Sequence, residues 1–166
     1  MSLVALNTMS VDAARDALSQ CCVSRGWIAG MLERRPFRDA VELRDAARAS
    51  WECLGEADWL EAFEGHPKIG DVSSLRTKYA ASARLAAQEQ ASVADATEDV
   101  LQRLARGNRE YESRFGFIFI VCATGKTAAE MCELLEQRLR SEREAELRTA
   151  AGEQFRILML RLEELL

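Results

Sequence analysis

The sequence predicts an all-α domain, and three observations support that fold class. Alanine, leucine, glutamate and arginine dominate the composition, and these residue types favour helix. Two prolines and nine glycines are few interruptions for a chain of 166 residues. Helix-capping patterns also recur along the chain. We therefore expect one domain over residues 1–166, a single bundle of seven to eight helices around a hydrophobic core.

Four helices are expected in the first 64 residues. Ser10 is placed to cap the first, and Pro36 must end the second because proline lacks the amide proton that another turn needs. The expected ranges are about 10–22, 25–35, 39–54 and 57–63. The third range carries apolar residues near helical spacing, which predicts a buried face. These residues are Val41, Leu43, Ala47, Trp51 and Leu54.

The second half of the chain is also expected to be mostly helical. Residues 74–90 are alanine-rich and favour helix. Three capping boxes predict further helix starts: Asp95–Glu98, Thr127–Glu130 and Ser141–Glu144. The first of these helices would end near Arg114, and the other two would have about 12 and about 20 residues. We interpret the arginine and glutamate run over 138–148 as a solvated helix face with i,i+4 ion pairs.

Residues 117–123 are the exception to the helical pattern. They are bulky, β-branched and aromatic, and Gly116 and Gly125 lie on either side of them. A single strand has no partner in an all-helical domain, so we expect a short buried extended segment or a short helix within the core. The backbone groups of a buried extended segment need partners, and a ligand is one candidate.

Charge and hydropathy exclude several classes of protein. The formal net charge is −5 and no stretch is strongly basic, so nucleic acid is not expected as a partner. The apolar run over 117–123 is far shorter than the ~20 residues that a bilayer-spanning helix needs. Neither a secretory signal pattern nor a peroxisomal address is present, so we expect no membrane association and a cytoplasmic location.

The cysteines favour the same location. The chain has five, none of them in a Cys-x-x-Cys pair: Cys21, Cys22, Cys53, Cys122 and Cys132. An odd number without paired spacing predicts reduced thiols. Together with a single histidine they give no zinc-ligand spacing, so no metal site is expected. A nucleophilic cysteine paired with the histidine stays open as a minor alternative.

The single histidine, His66, is the strongest candidate for a chemical role. It lies in Gly65-His66-Pro67-Lys68-Ile69-Gly70-Asp71, where the proline disfavours helical backbone at the preceding residue. A short, helix-breaking loop is a common place for a catalytic group. Histidine is also the one side chain whose unperturbed pKa allows proton transfer near neutral pH. A capped loop histidine without a role in catalysis is the plain alternative.

Two further motifs follow the histidine loop in a fixed order. They are Gln88-Glu89-Gln90 and Asn108-x-x-Tyr111-x-x-Arg114-Phe115-Gly116-Phe117-x-Phe119-Ile120. The Glu-Gln pair alone would be assigned to a solvated helix surface. In this combination, however, the chain resembles the 2-oxo-4-hydroxy-4-carboxy-5-ureidoimidazoline (OHCU) decarboxylases of urate breakdown over essentially its whole length. The resemblance implies an all-α fold, no cofactor, a homodimer and stereospecific formation of (S)-allantoin with loss of carbon dioxide.

The resemblance also implies roles for particular residues. His66 and Glu89 correspond to catalytic residues, with His66 as the acid. The implied substrate-binding residues are Pro67, Ala86, Gln90, Phe119, Ile120, Val121, Cys122, Ala123 and Arg161. The stretch from Phe119 to Ala123 would contact the substrate through its backbone, and Arg161 would meet an anionic or carbonyl group.

Two positions depart from the family pattern. Ala86 stands where the family usually has serine, so one hydroxyl contact is missing or is replaced by Ser82, Ser92 or water. Ile118 stands where proline is frequent. A related decarboxylase with altered substrate specificity is therefore one alternative function. A non-catalytic helical interaction domain, with the His-Pro loop as a structural turn, is another.

The implied residue types suit the implied reaction. Loss of carbon dioxide leaves an electron pair that a ring imine can accept, and the intermediate must then be protonated on one face. His66 could supply that proton, and Glu89 could polarise the substrate hydroxyl and favour the charged imidazole. Gln90 offers a donor and an acceptor to an amide-like ring edge. Arg161 offers a fork of donors to a carboxylate or carbonyl.

Overall fold

The computed structural model describes residues 1–67 and 98–166, and within them it contains eight α-helices and no strand. The helices are α1 Leu3–Thr8, α2 Val11–Ser19, α3 Arg25–Glu33, α4 Ala40–Glu52, α5 Glu56–Glu64, α6 Glu98–Phe115, α7 Ala128–Arg138 and α8 Arg143–Leu165. The all-α prediction is confirmed for this part of the chain. The helix expected over 74–90 and the capping residues 95–97 lie outside the described residues.

The chain divides into two compact units. Residues 1–66 and 149–166 form the first unit, and residues 67–148 form the second. Helix α8 therefore supplies its first turns to the second unit and the remainder to the first. The expectation of one domain over 1–166 stays a prediction.

Helix starts in the first unit follow the capping pattern of the sequence. The Ser10 side chain accepts a hydrogen bond from the amide of Ala13 at 3.2 Å, as expected for the cap of α2. Asp39 caps α4 by accepting from the amides of Val41 and Glu42. Helix α1, capped by Ser2, was not expected, because six residues are too few to show a helical period.

Helix α3 lies at the centre of the first unit and packs against α2, α4 and α5. Two glycines allow the close approach of its neighbours. A Cβ atom on Gly30 would lie 2.8 Å from the Ser50 hydroxyl of α4, and one on Gly26 would lie 2.6 Å from the Asp58 carboxylate of α5. The indole nitrogen of Trp27 donates to the Ala47 carbonyl at 3.2 Å. The close approach at Gly26 brings α3 against α5, the helix that ends directly before His66.

The apolar stripe expected on α4 is correct except at its start. Leu43, Ala47 and Trp51 are buried, whereas Val41 is 56% exposed. Val41 precedes Leu43 by two residues, about 200° around the helix, so the two side chains face opposite directions. Leu54 lies beyond the end of the helix and is half-buried.

In the second unit, α6 and α7 pack against each other. A Cβ atom on Gly107 would lie 2.7 Å from Cδ2 of Leu135, so the absence of a side chain permits this close contact. The expected capping box of α7 is present. Thr127 accepts a hydrogen bond from the amide of Glu130 at 3.2 Å, and the Glu130 carboxylate accepts from the amide of Thr127 at 2.7 Å.

The segment over 117–123 contains no helix, so the short-helix alternative is wrong. Phe117 and Ile120 are buried, whereas the other residues of the segment are half-buried. Gly116 and Gly125 on either side have φ values of +80° and +74°, which favour glycine because a side chain would be strained there. The segment begins in an aromatic cluster. The Tyr111 ring lies 4.6 Å from Phe115 and 5.2 Å from Phe119, measured between ring centroids.

The interpretation of residues 138–148 as one solvated helix face is wrong in an important respect. Helix α7 ends at Arg138 and α8 begins at Arg143, so the run is divided by a turn. Arg138 and Glu146 are 8% and 1% exposed. The expected i,i+4 pair does form between Glu144 and Arg148, which are both exposed.

None of the helices in residues 1–67 and 98–166 combines the length and the apolar character that crossing a membrane requires.

Candidate active site

His66 follows the last turn of α5. The amide of Gly65 donates to the carbonyls of Ala62 and Phe63, and the amide of His66 donates to Phe63 at 3.1 Å. Phe63 is buried and anchors this helix end in the core. His66 itself is half-buried and Pro67 is exposed. The imidazole is therefore held immediately beyond a rigid helix, as the sequence predicted.

Gly65 has a different role from the one its position suggested. Its φ of −70° is accessible to any residue, so the turn does not require glycine conformationally. A Cβ atom there would lie 3.0 Å from both methyl groups of Val23. The small residue therefore allows the histidine loop to lie close to the segment between α2 and α3.

The polar partner of the histidine is Gln154, in the part of α8 that belongs to the first unit. His66 Nε2 lies 2.5 Å from Gln154 Oε1. The Gln154 side chain is fully buried. Sequence analysis missed this residue, although a signal was present. Gln154 lies four positions from both Ala150 and Leu158, which are fully buried, so a polar residue occupies a core position of the helix.

The thiols of Cys21 and Cys22 are buried near this pair. Burial raises the pKa of Cys22 to about 11, and opposing contributions come from the Ser24 backbone, Arg161 and Gln154. Burial also raises the pKa of Cys21 to about 11. Thiols with such values are protonated at neutral pH and are weak nucleophiles. The alternative of an activated cysteine beside His66 therefore gains no support from these two residues.

Arg161 lies on the same face of α8 as Gln154. Seven residues separate them, which is close to two helical turns and about 10 Å along the axis. The Arg161 guanidinium is half-buried and donates to the Cys21 carbonyl at 3.4 Å. His66, Gln154 and Arg161 thus belong to one unit, and two of these three were predicted as site residues.

The predicted backbone segment lies in the second unit, where Arg138 holds it. Arg138 Nη1 donates to the Ile120 carbonyl at 2.8 Å, and the guanidinium lies 4.8 Å from the centroid of the Phe119 ring. The Nε atom of Arg138 donates to Glu146 Oε1 at 2.7 Å. Tyr111 donates its hydroxyl proton to the same carboxylate oxygen.

This buried network keeps its tyrosine neutral. Burial, with the Glu146 carboxylate beside it, raises the pKa of Tyr111 far above its usual range. One carboxylate oxygen of Glu146, Oε2, has no hydrogen-bond partner among the described residues. The network therefore consists of one ion pair and a protonated phenol, which together fix the carbonyl of Ile120.

The segment continues with a second intramolecular contact. Lys126 Nζ donates to the Cys122 carbonyl at 2.8 Å. Val121, Cys122 and Ala123 are half-buried. In the stretch expected to contact substrate, two backbone carbonyls therefore accept hydrogen bonds from protein side chains. These hydrogen bonds hold the backbone in place without a ligand.

The remaining predicted site residues are Glu89, Ala86 and Gln90, and all three lie outside the described residues. Within residues 1–67 and 98–166, no group of three or more histidine, cysteine, aspartate or glutamate side chains is arranged to hold a metal ion. The structure thus describes part of the predicted site in each unit.

Comparisons with known proteins identify the family. The OHCU decarboxylase family model matches residues 7–163. The uric acid degradation bifunctional protein of Arabidopsis thaliana is 33% identical over 157 residues, which are 95% of this chain and 48% of that protein. The OHCU decarboxylase of Mus musculus is 31% identical over 171 residues, covering 100% of this chain and 93% of the mouse protein. This chain therefore spans about half the length of the Arabidopsis relative and nearly all of the mouse relative.

Comparison with a solved structure points to the same family. The crystal structure of an OHCU decarboxylase in the presence of (S)-allantoin aligns with a TM-score of 0.72 and 35% identity, covering 90% of this chain and 96% of the other. The fold, the order of the motifs and the near-complete family match agree with one another. The chain belongs to the OHCU decarboxylase family.

Proposed function

We propose that this chain is a carboxy-lyase that converts OHCU to (S)-allantoin in urate degradation, without a cofactor. Membership of the family supports this activity, as do relatives named for the same reaction. The structural observation that carries the proposal is the placement of His66. The only histidine of the sequence lies just beyond the end of α5, with its Nε2 atom 2.5 Å from a buried amide oxygen.

The reaction begins with loss of carbon dioxide from the substrate ring. The electron pair of the broken carbon–carbon bond moves into the ring imine, which serves as the electron sink. His66 then delivers a proton to one face of the resulting ene intermediate, at the ring carbon that bears the ureido group, and the hydroxyl releases its proton to become the ring carbonyl. A general acid of this kind contributes ~10²–10⁴-fold to the rate.

Other residues hold the substrate in one orientation. Glu89 polarises the substrate hydroxyl, and Gln90 pairs with an amide-like edge of the ring. Pro67 and Ala86 are proposed, on the family resemblance, as substrate-binding residues. The backbone from Phe119 to Ala123 is proposed, on the same resemblance, to contact the substrate. Arg161 meets a carboxylate or carbonyl group, to which its fork of donors is suited.

The activity is tested with freshly generated OHCU. Allantoin formation is followed by circular dichroism, which separates stereospecific catalysis from spontaneous decay to racemic product. We expect optically active (S)-allantoin at a rate proportional to protein concentration. Racemic allantoin at the spontaneous rate would refute the proposed activity and favour a non-catalytic domain.

The role of His66 is tested with His66→Asn in the same assay. Turnover should fall by at least ~10²-fold because the substitution removes the general acid. Far-ultraviolet circular dichroism checks that the variant retains its helices. A folded variant with wild-type turnover would exclude His66 from the mechanism. Glu89→Gln should also impair turnover strongly if that carboxylate acts on the substrate.

The assembly and location are proposed as a homodimer in the cytoplasm. The dimer is supported by the family resemblance, and the cytoplasm by five cysteines without paired spacing. Light scattering in solution tests the first proposal, since a dimer has twice the chain mass of 18.6 kDa. A mass equal to that of one chain at micromolar concentration would contradict it.

A further inference from the structure

Gln154 is a fully buried polar side chain between apolar residues of α8. Ala150 and Leu158, one turn away on either side, are also fully buried. Burying an amide is unfavourable unless the amide is hydrogen-bonded, so its partner determines what the residue contributes. That partner is His66 Nε2, 2.5 Å from Gln154 Oε1.

The chemistry of the two atoms determines where the proton lies. An amide oxygen can only accept a hydrogen bond, whereas an imidazole nitrogen can donate or accept. Two lone pairs facing each other at this distance would repel. The imidazole must therefore carry a proton on Nε2, in both its neutral and its charged form.

The surroundings of the amide nitrogen agree with this orientation. Gln154 Nε2 has no hydrogen-bond partner among the described residues, and the Gln154 side chain lies near the Cys22 thiol, whose pKa it lowers. Sulfur is a weak acceptor, so the NH₂ group faces Cys22 while the oxygen faces the imidazole. The charged groups described around Cys22 are the Arg161 guanidinium and the Glu61 carboxylate, and the neighbouring thiol is Cys21.

We propose that Gln154 is a positioning residue that fixes the proton on Nε2 of His66 and thereby makes Nδ1 the nitrogen that gains and releases the catalytic proton. The inference rests on the proposed decarboxylase function. In the protonation step, the N–H bond at Nδ1 breaks and its electron pair stays on the nitrogen, while the π pair of the ene intermediate forms the new C–H bond at the ureido-bearing carbon. Its product is the neutral imidazole with its proton on Nε2, which Gln154 stabilises.

The lone histidine makes this proposal directly measurable. Nuclear magnetic resonance of protein labelled with ¹⁵N gives one imidazole spin system, and its nitrogen shifts distinguish the two neutral tautomers. At a pH where the ring is neutral, we expect the tautomer protonated on Nε2. Gln154→Met has a similar side-chain length but no acceptor, so the tautomer preference should weaken. Turnover should fall about ten-fold with little change in KM, since a hydrogen bond of ordinary strength is lost.

Two further variants separate positioning from packing. Gln154→Glu keeps an acceptor, so the ring should again carry its proton on Nε2. The added carboxylate should also raise the pKa of His66 and move the pH profile of turnover upward. Gln137→Met is the matched control, because Gln137 is an exposed glutamine on α7. It should change neither the imidazole spectrum nor the turnover.

Each measurement supports or overturns the assignment of the proton to Nε2 of His66. Wild-type protein with the proton on Nδ1, or Gln154→Met with an unchanged tautomer, would overturn the proposal whatever the activity. If Gln154→Met does not fold, the wild-type tautomer and the Gln154→Glu titration decide in its place. Absence of allantoin formation by wild-type protein would refute the proposed function, and with it the catalytic part of this inference. The tautomer measurement would still test the positioning.

Discussion

The residues that matter most in this protein are polar side chains placed where apolar ones are expected. Gln154 and Arg138 are buried, and each holds a predicted site residue: His66 in one case and the backbone at Ile120 in the other. His66 was identifiable from its neighbours in sequence, since Pro67 and the glycines mark a loop. The two holding residues were missed because burial depends on contacts between residues far apart in sequence. Periodicity alone gave only a weak indication of Gln154.

The buried ion pair between Arg138 and Glu146 predicts a large effect on stability. Glu146→Gln should lower the free energy of unfolding by about 3–5 kcal/mol, because it leaves the buried guanidinium without a counter-charge. Urea denaturation measures the change. Glu144→Gln is the control, since it removes an exposed i,i+4 pair with Arg148 and should alter stability by ~0.5 kcal/mol or less. Equal losses of stability in Glu146→Gln and Glu144→Gln would contradict the large stabilising effect assigned to the buried pair of Arg138 and Glu146.

At the scale of the elements, local chemistry determined where several helices begin. Ser10 and Thr127 each cap a helix as predicted, because capping depends only on residues within one turn. Predictions of which helix face is buried were less reliable. Val41 was placed on the buried face of α4 but is exposed, and α1 was too short to be recognised. Local patterns thus predict helix boundaries better than they predict which neighbours a helix contacts.

Two glycines within helices give a prediction at this scale. Gly107→Ala should destabilise the protein by about 1–3 kcal/mol, because a Cβ atom there would overlap Leu135 in the contact between α6 and α7. Gly152→Ala should instead stabilise it by about 0.5–1 kcal/mol, since alanine favours helix and nothing lies within 4 Å of the added carbon. Thermal or urea unfolding compares the two. A gain in stability from Gly107→Ala would show that α6 and α7 can separate without cost.

At the scale of the whole molecule, the buried ionisable groups link stability to pH. Burial raises the pKa of Cys21 and Cys22 to about 11 and raises that of Tyr111 as well. The folded state therefore retains protons that the unfolded chain has already released. Stability from these groups is fully present below about pH 9 and is lost as pH rises toward about 11.

The measurement is the free energy of unfolding in urea at several pH values between 7 and 11. We expect it to fall progressively above about pH 9. Cys22→Ala should reduce this fall, because one group that must ionise on unfolding has been removed. Cys53→Ala alters an exposed thiol and should leave the slope as in the wild type. If the free energy of unfolding of Cys22→Ala depends on pH as strongly as that of the wild type, then burial of Cys22 does not contribute to this pH dependence.

The family and the all-α fold class could be determined from the sequence alone, because both depend on motifs and propensities that are local or fixed in order. The near-complete family match and the helices of the described residues confirm them. Only the tertiary structure decided which side chains support the candidate site. Gln154 is 88 residues from His66, and Arg138 is 18 residues from Ile120. Packing brings these groups together, and the loss of water on burial is what makes their hydrogen bonds necessary.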